Sequence, residues 1–368
     1  MTESEFLALA LERYQEIKKL NELDSFYEYE KQFDQIWVEL GHSVLEENLG
    51  KVPESPLKKN DFQTRFGKIG VSKEHHYCQK FHQSFASPYL QSLMAVAGAS
   101  DVYSKANDLF ALFLRIPVSS ASVFRVSNQI GDQIEAPLLE VETAPVKLPK
   151  SERLYASMDG SMVQTDSGYK EVKAGRVWRE SAIKANGSTR NRIQESHYSA
   201  YLGHYSGFLP KFEASLSSYS FEEEQLVLIT DGAAWISDYI VDKYPKATHI
   251  LDFYHAVEHL HTFCQTVGLS EHWFSERCEQ LKTKGIMEVL PILKKLKYTS
   301  LLHEEAHQKL LKYYQNNAWR MEYGIYLKRG LCIGNGAMEA ANRTIVQTRC
   351  KRSGQIWSEK GVNHILNL

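Results

Sequence analysis

Between Leu226 and Leu260 the apolar pattern changes period twice. Leu226-Val227-Leu228-Ile229 is a continuous apolar run, too short for a helix, that ends at Thr230-Asp231-Gly232. A buried strand that delivers a carboxylate to a sheet edge ends in this way. Trp235, Ile236, Tyr239 and Ile240 then recur at helical spacing until Tyr244-Pro245 stops the helix. A second strand, Thr248 to Phe253, carries Asp252 into a His-rich helix start. Strand, helix and strand within about 30 residues form the minimal parallel crossover unit. Acidic groups at the carboxyl ends of such strands stand where α/β sheets do chemistry.

The flanking patterns extend this unit. Arg153 to Asp159 reads as a strand ending in Asp-Gly, Tyr169 to Arg179 alternates as a second, and Ser196 to Leu202 as a third, before a helix from Phe208 to Ser218. Three strands, a helix, then strand, helix, strand is the element order of the ribonuclease H-like fold. From His255 to about Tyr323 the chain is helical and polar, broken only by Gly268, Gly285 and Pro291, which predicts an all-α insertion. Gly334-Asn335-Gly336 opens a last helix, with Met338, Ala341, Ile345 and Thr348 on its buried side.

Upstream, Phe6, Leu9, Tyr14 and Ile17, then Phe33, Trp37 and Leu40, predict two amphipathic helices packed as a hairpin, either a docking or oligomerisation element or a helical cap. Lys51 to Asn60 reads as a linker and Phe62 to Val71 as a small hairpin. His75, His76, Cys78 and His82 crowd the next turn, but a single Cys at this spacing fits no standard zinc finger, and a surface loop is the plainer reading. Tyr103 to Leu114 and Ala121 to Ile130 are two helices joined by a short turn. Either they form a helix-turn-helix presenting Ser122, Arg125, Ser127, Asn128 and Gln129 to DNA, or they are an ordinary helical hairpin. Ala136 to Pro149, with three prolines, reads as a boundary. The expectation is a mixed α/β protein: an N-terminal helical region (1–57), a hairpin-plus-helix DNA-binding region with linker (58–150), and a ribonuclease H-like core (151–256 and 325–368) holding an all-α insertion (257–324).

Composition narrows the setting. The formal net charge of −2 means that any nucleic-acid binding comes from local patches. The five cysteines, Cys78, Cys264, Cys278, Cys332 and Cys350, are scattered without a CxxC pair, which favours free thiols in a reducing compartment. The acidic start Met1-Thr2-Glu3-Ser4-Glu5 is unlike a secretory signal, and no apolar run approaches the roughly 20 residues of a membrane helix. A cytoplasmic protein without membrane contact is expected.

The candidate chemistry is a carboxylate triad, Asp159, Asp231 and Glu339, two at strand ends and one in the first turn of a helix. Hard divalent cations take oxygen ligands. Three converging carboxylates hold two such ions about 3.5–4 Å apart, one for the attacking and one for the leaving oxygen of an in-line displacement. The basic residues Arg343, Arg349, Lys351 and Arg352 fall on or just beyond the Glu339 helix, where they grip phosphates or simply complement the helix dipole. Trp357 reads as core sooner than as a base-stacking platform. A rival motif, His255-Ala256-Val257-Glu258-His259, has the HxxEH spacing of inverted zinc peptidases, but it leaves the triad and the basic tail without a role.

Taken together, YASMDGSMV, YKEVKAGRVW, VLITDGAAWI, ATHILDFYHAVEHL and GNGAMEAANRTIVQTRCKRSGQIWS resemble the DDE-type transposases of bacterial insertion sequences, of the IS-Kra kind. The likeness runs from about Phe62 to the C-terminus, in the right order. It implies a ribonuclease H-like core with a helical insertion before the last acidic helix, and cleavage and strand transfer at transposon ends dependent on Mg²⁺ (or Mn²⁺), with two ions at Asp159, Asp231 and Glu339. The implied partners are double-stranded DNA and further copies of the chain on it, in the cytoplasm at the nucleoid. Asp252 and His255 match the family's DxxH element, whose implied role is local support and DNA contact. Relatives often carry a CxxC pair where this chain has Cys78-Gln79-Lys80-Phe81-His82, so a zinc-stabilised N-terminal module does not carry over. A DNA-binding relative that has lost catalysis is the alternative, and the presence of all three acids argues against it.

Overall fold

The computed structural model describes residues 1–50, 59–72, 75, 85–135, 137–139, 144–186 and 190–368. The chain divides into two compact units, Met1–Asp132 together with Leu368, and Gln133–Asn367.

In the first unit Thr2 starts α1 (Glu3–Lys19) with a reciprocal cap, its hydroxyl accepting from Glu5 N at 3.3 Å while its own N–H donates to Glu5 Oε2 at 2.7 Å. α2 (Phe26–Gly50) folds back on α1, so the expected helical hairpin forms. Leu9, Ile17, Phe33 and Leu40 of the expected stripe are half-buried beside the buried Leu20 and Ile36, whereas Phe6, Tyr14 and Trp37 are exposed, as are Leu7, Leu11 and Phe26. The hairpin β1 (Lys59–Thr64) and β2 (Gly67–Ser72) packs Phe62, Ile69 and Val71 against Leu45 and Leu49 of α2. α3 (Pro88–Ser100), α4 (Tyr103–Leu109, continued as a π-helical turn over Phe110–Leu114) and α5 (Ser120–Gln133) bury Leu90, Met94, Phe110, Val123 and Val126 together. Two of the five residues expected to face DNA are part of this packing. Ser122 and Ser127 are buried, the latter donating to the Met94 carbonyl at 3.5 Å, because they flank the core positions Val123 and Val126. Arg125 and Gln129 remain at the surface. His76, Cys78 and His82 lie outside the described residues.

The second unit is built on a mixed five-stranded sheet. Its strands are β3 (Leu154–Thr165), β4 (Gly168–Arg179), β5 (His197–Leu202), β6 (Leu226–Thr230) and β7 (Thr248–Leu251), in the order β7-β6-β3-β4-β5. β3, β4 and β5 run antiparallel to one another, whereas β6 lies parallel to β3 and β7 parallel to β6. Every residue of β6 is buried because both faces are covered. Leu226 and Leu228 join Leu154, Ala156 and Met158 under α6 (Tyr205–Ser217) and α7 (Ala234–Lys243). On the other face, Val227 and Ile229 join Tyr155 in a core continued by helices α8 (Phe253–Val267), α9 (Glu271–Lys284), α10 (Ile286–Lys295), α11 (Leu301–Asn317) and α12 (Tyr323–Lys328). The chain between β7 and Lys328 is helical, as expected, and it shares one continuous core with the sheet, Tyr314 of α11 donating to the Ala256 carbonyl at 3.0 Å.

The units divide between Asp132 and Gln133, just ahead of the proline-containing segment, whose Val146 and Leu148 donate to the carbonyls of Ser218 and Ser220, both at 2.9 Å, within the second unit. Two expectations need correction. β3 does not stop at Asp159-Gly160 but runs on to Thr165 and turns at Asp166-Ser167. And the face of the last helix shifts. α13 (Gly336–Ala341) passes into a π-helical stretch over Asn342–Gln347, and the extra residue per turn rotates the buried side, from Met338 and Ala341 to Asn342, Val346 and Cys350. Ile345 is left half-buried and Thr348 exposed. Trp357 is core, its indole N–H donating to the Cys350 carbonyl at 3.1 Å, ahead of the closing helix α14 (Glu359–Asn367). No helix among the described residues is long and apolar enough to cross a membrane.

Candidate active site

The site forms where the sheet narrows. β6 pairs with β3 only as far as Thr230 opposite Met158, so Asp159 is the first β3 residue past that pairing, and Asp231 is the first residue past the end of β6. The two carboxylates are thereby brought side by side. Asp159 Oδ1 accepts the Gly160 N–H at 2.7 Å, and its Oδ2 accepts the Asn342 side-chain amide at 2.6 Å. Asp231 Oδ1 accepts the Ala233 N–H at 3.0 Å, which shapes the turn into α7. Burial pushes the Asp159 carboxyl above its usual range and the charge of Asp231 adds to the push, while Gly160, Asn342 and His255 oppose it.

Asp252 ties the site together. It caps α8 by accepting the Tyr254 N–H at 3.1 Å and accepts the Asn335 N–H at the same distance, joining the loop before α13 to the end of β7. Burial raises its pKa against these two N–H donors and His255. Arg176 of β4 donates to the Ala337 carbonyl at 2.7 Å, and Ser157 lies against Asn335 Oδ1, so the start of α13 is stitched to the sheet from both sides. Behind Asp231, the buried Arg320 guanidinium donates to Thr230 Oγ1 at 3.1 Å, to His249 Nε2 at 2.8 Å and to Asn317 Oδ1 at 2.6 and 3.0 Å.

Glu339 stands apart from the pair. It is exposed on the first turn of α13, and among the described residues no three His, Cys, Asp or Glu side chains group as a metal site does. Asn342 lies three residues on, on the same side of the helix, and it is Asn342 that reaches Asp159. Asp159 and Asp231 by themselves fit a hard divalent cation: two half-buried carboxylates, held by N–H donors, whose mutual repulsion a cation relieves. His255 turns Nδ1 toward Glu258 Oε2 at 3.6 Å, its ring stands perpendicular to that of His259 at 5.0 Å, and His259 lies flat on Tyr313 at 3.9 Å.

The basic residues divide into different roles. Arg343 is exposed beside Asn342. Arg349 is half-buried and donates to the Ile365 carbonyl at 3.3 Å, which makes it an anchor for α14. Lys351 Nζ donates to Ser161 Oγ at 2.7 Å on β3, and Arg352 Nε to the Thr348 carbonyl at 2.7 Å. Sequence reasoning passed over Asn342, Arg320 and Tyr313. Asn342 lay within reach as the residue one turn after Glu339, whereas the other two sit in the helical insertion without any local pattern. Neither a protein-family model nor a curated protein matches this chain.

One consequence concerns stability. Because the folded-state pKa of Asp159 is raised, folding disfavours its ionised form, and that cost is present above the folded pKa and absent below the unfolded value of about 3.9. Asp159→Asn should therefore raise the melting temperature at pH 7 and leave it unchanged near pH 3. Asn342 can accommodate the new amide by turning over, since its buried Oδ1 has no partner among the described residues. Calorimetry at both pH values tests this, and a lower melting temperature at pH 7 would refute it.

Proposed function

We propose that this chain is a DDE-type transposase of the bacterial insertion-sequence kind, cutting double-stranded DNA at transposon ends and joining it to a target, with a ribonuclease H-like catalytic core. The observation that carries this reading is the pairing of Asp159 and Asp231 where β6 ends beside β3. The sheet supports it too, through an antiparallel β3-β4-β5 meander extended on its other edge by parallel β6 and β7, as a ribonuclease H-like core would have it. Mg²⁺ or Mn²⁺, as two ions, would be held by Asp159, Asp231 and Glu339 and would neutralise charge on the attacking and leaving oxygens. The chain's own part is positional. Gly160 and Asn342 fix Asp159, Asp252 fixes Asn335 and with it the Glu339 helix, and Arg343 grips a phosphate alongside. The exposed apolar side chains of α1 and α2, among them Leu7, Leu11, Phe26 and Trp37, support assembly of several copies on DNA, in the cytoplasm at the nucleoid.

The zinc-peptidase reading gains nothing from the geometry, since His259 is stacked on Tyr313 and His255 faces Glu258. The test is cleavage of a plasmid carrying the DNA that flanks this chain's own gene, with Mg²⁺ or with EDTA. Metal-dependent breaks at fixed flanking positions are expected, and random nicking or none would overturn the reading. The tail offers a second check. Arg343→Ala should weaken DNA binding alike for all sequences and lower the salt slope by about 0.9. Arg349→Ala should leave the slope alone and lower the melting temperature instead, because it frees the Ile365 carbonyl. Filter binding over a salt series separates the two.

A further inference from the structure

The helical insertion places one polar group into the site that nothing so far uses. The Tyr313 ring from α11 lies flat on His259, centroids 3.9 Å apart and planes 25° from parallel. Its edge rests on Gly232, the residue after Asp231. A Cβ at Gly232 would stand 2.5 Å from Tyr313 Cε2 and 2.8 Å from its hydroxyl oxygen, so only glycine leaves room for the ring. The hydroxyl is buried and has no hydrogen-bond partner among the described residues. Buried hydroxyls are nearly always paired, and this one stands against the residue that follows Asp231.

We propose that the Tyr313 hydroxyl is a substrate-binding group, donating its hydrogen bond to a non-bridging phosphate oxygen of the DNA strand held at Asp159 and Asp231. This rests on the transposase reading above and adds a residue to it. Three features favour a phosphate oxygen as the acceptor. The hydroxyl is buried without a partner among the described residues, so its hydrogen is free to be given. The ring is clamped between His259 and Gly232, so the donor is aimed before substrate arrives. And a neutral donor beside two carboxylates serves an anionic oxygen without drawing those carboxylates into an ion pair. The HxxEH spacing also gains a role: His259 carries Tyr313, and burial together with His255 lowers its pKa, so the stacked imidazole stays neutral.

Tyr313→Phe keeps the ring and removes only the hydroxyl. It is compared with the parent and with Asp231→Asn on the flanking-end duplex, measuring single-turnover cleavage in Mg²⁺, duplex affinity in Ca²⁺ and melting temperature. Cleavage should fall about 100-fold and affinity about tenfold, with the melting temperature unchanged or higher. Parent-like cleavage and affinity in Tyr313→Phe, while Asp231→Asn is inactive, overturn the inference and leave the function standing. A parent that binds but does not cleave overturns the function, and the affinity of Tyr313→Phe then decides the phosphate contact alone. A melting temperature several degrees lower makes Tyr313 a packing residue and overturns the inference.

Discussion

Asp159→Asn and Asp231→Asn are expected to fold, bind DNA and lose strand cleavage by at least about a thousandfold, or ~4 kcal/mol of barrier. Asparagine keeps the shape and one acceptor oxygen, so the turn bond from Ala233 to residue 231 survives. What would disappear is the charge that, on the proposed reading, retains a divalent cation between the two strand edges. Because the groups act as one unit, Asp159→Asn combined with Asp231→Asn should be scarcely worse than either alone. Glu339→Gln should be as severe, although its carboxylate is exposed and outside the pair, because its helix is already fastened to Asp159 through Asn342. Asp252→Asn is the contrasting case. One oxygen can still accept from Tyr254 and Asn335, so metal binding should be largely retained and cleavage impaired far less than at Asp159 or Asp231. If Glu339→Gln cleaves like the parent, the third ligand is Asp252 or Glu258.

Arg320→Met is the largest expected loss of stability, about 1–3 kcal/mol for each acceptor left unsatisfied. The guanidinium is 1% exposed and satisfies Thr230, His249 and Asn317 at once. Burial lowers its pKa, partly opposed by Tyr313 and Asp231, so the cation is held mostly by dipoles, without a contacting carboxylate among the described residues. Burial and the Arg320 charge press His249 down to about 2, so its Nε2 is an acceptor, with Arg320 and Thr230 as its donors among the described residues. A methionine fills the volume but strands those acceptors. Lysine offers one ammonium where the cluster needs a fork, so it should recover little. Urea denaturation measures the loss, and a midpoint within error of the parent would show the cluster to be dispensable. Cleavage should fall with stability, since Thr230 is the last β6 residue before Asp231.

The fold was legible where burial is uniform. β6 is covered on both faces, so Leu226 to Thr230 shows as an unbroken apolar run, and the parallel crossover to β7 follows from it. It was misread where a local signal has two meanings. Asp159-Gly160 looks like a turn, but the chain turns at Asp166-Ser167, after β3 has continued past its parallel neighbour. That continuation puts Asp159 in mid-strand with a free edge toward Asp231. The buried face of the last helix was drawn at a period of 3.6, which the π-helical stretch over Asn342–Gln347 breaks. Tyr313 and Arg320 were invisible because their importance comes from contacts with Gly232 and Thr230, some 80 to 90 residues away in the chain, which no local periodicity encodes.

A crystal of the protein soaked in Mn²⁺ tests the central claim most directly, by the anomalous signal of the ion. The expected result is metal between Asp159 and Asp231, with the Glu339 carboxylate turned in to about 2.1 Å from it. Metal at His255 and His259, or a shell at Asp159 and Asp231 completed by Asp252 while Glu339 stays in solvent, would contradict it.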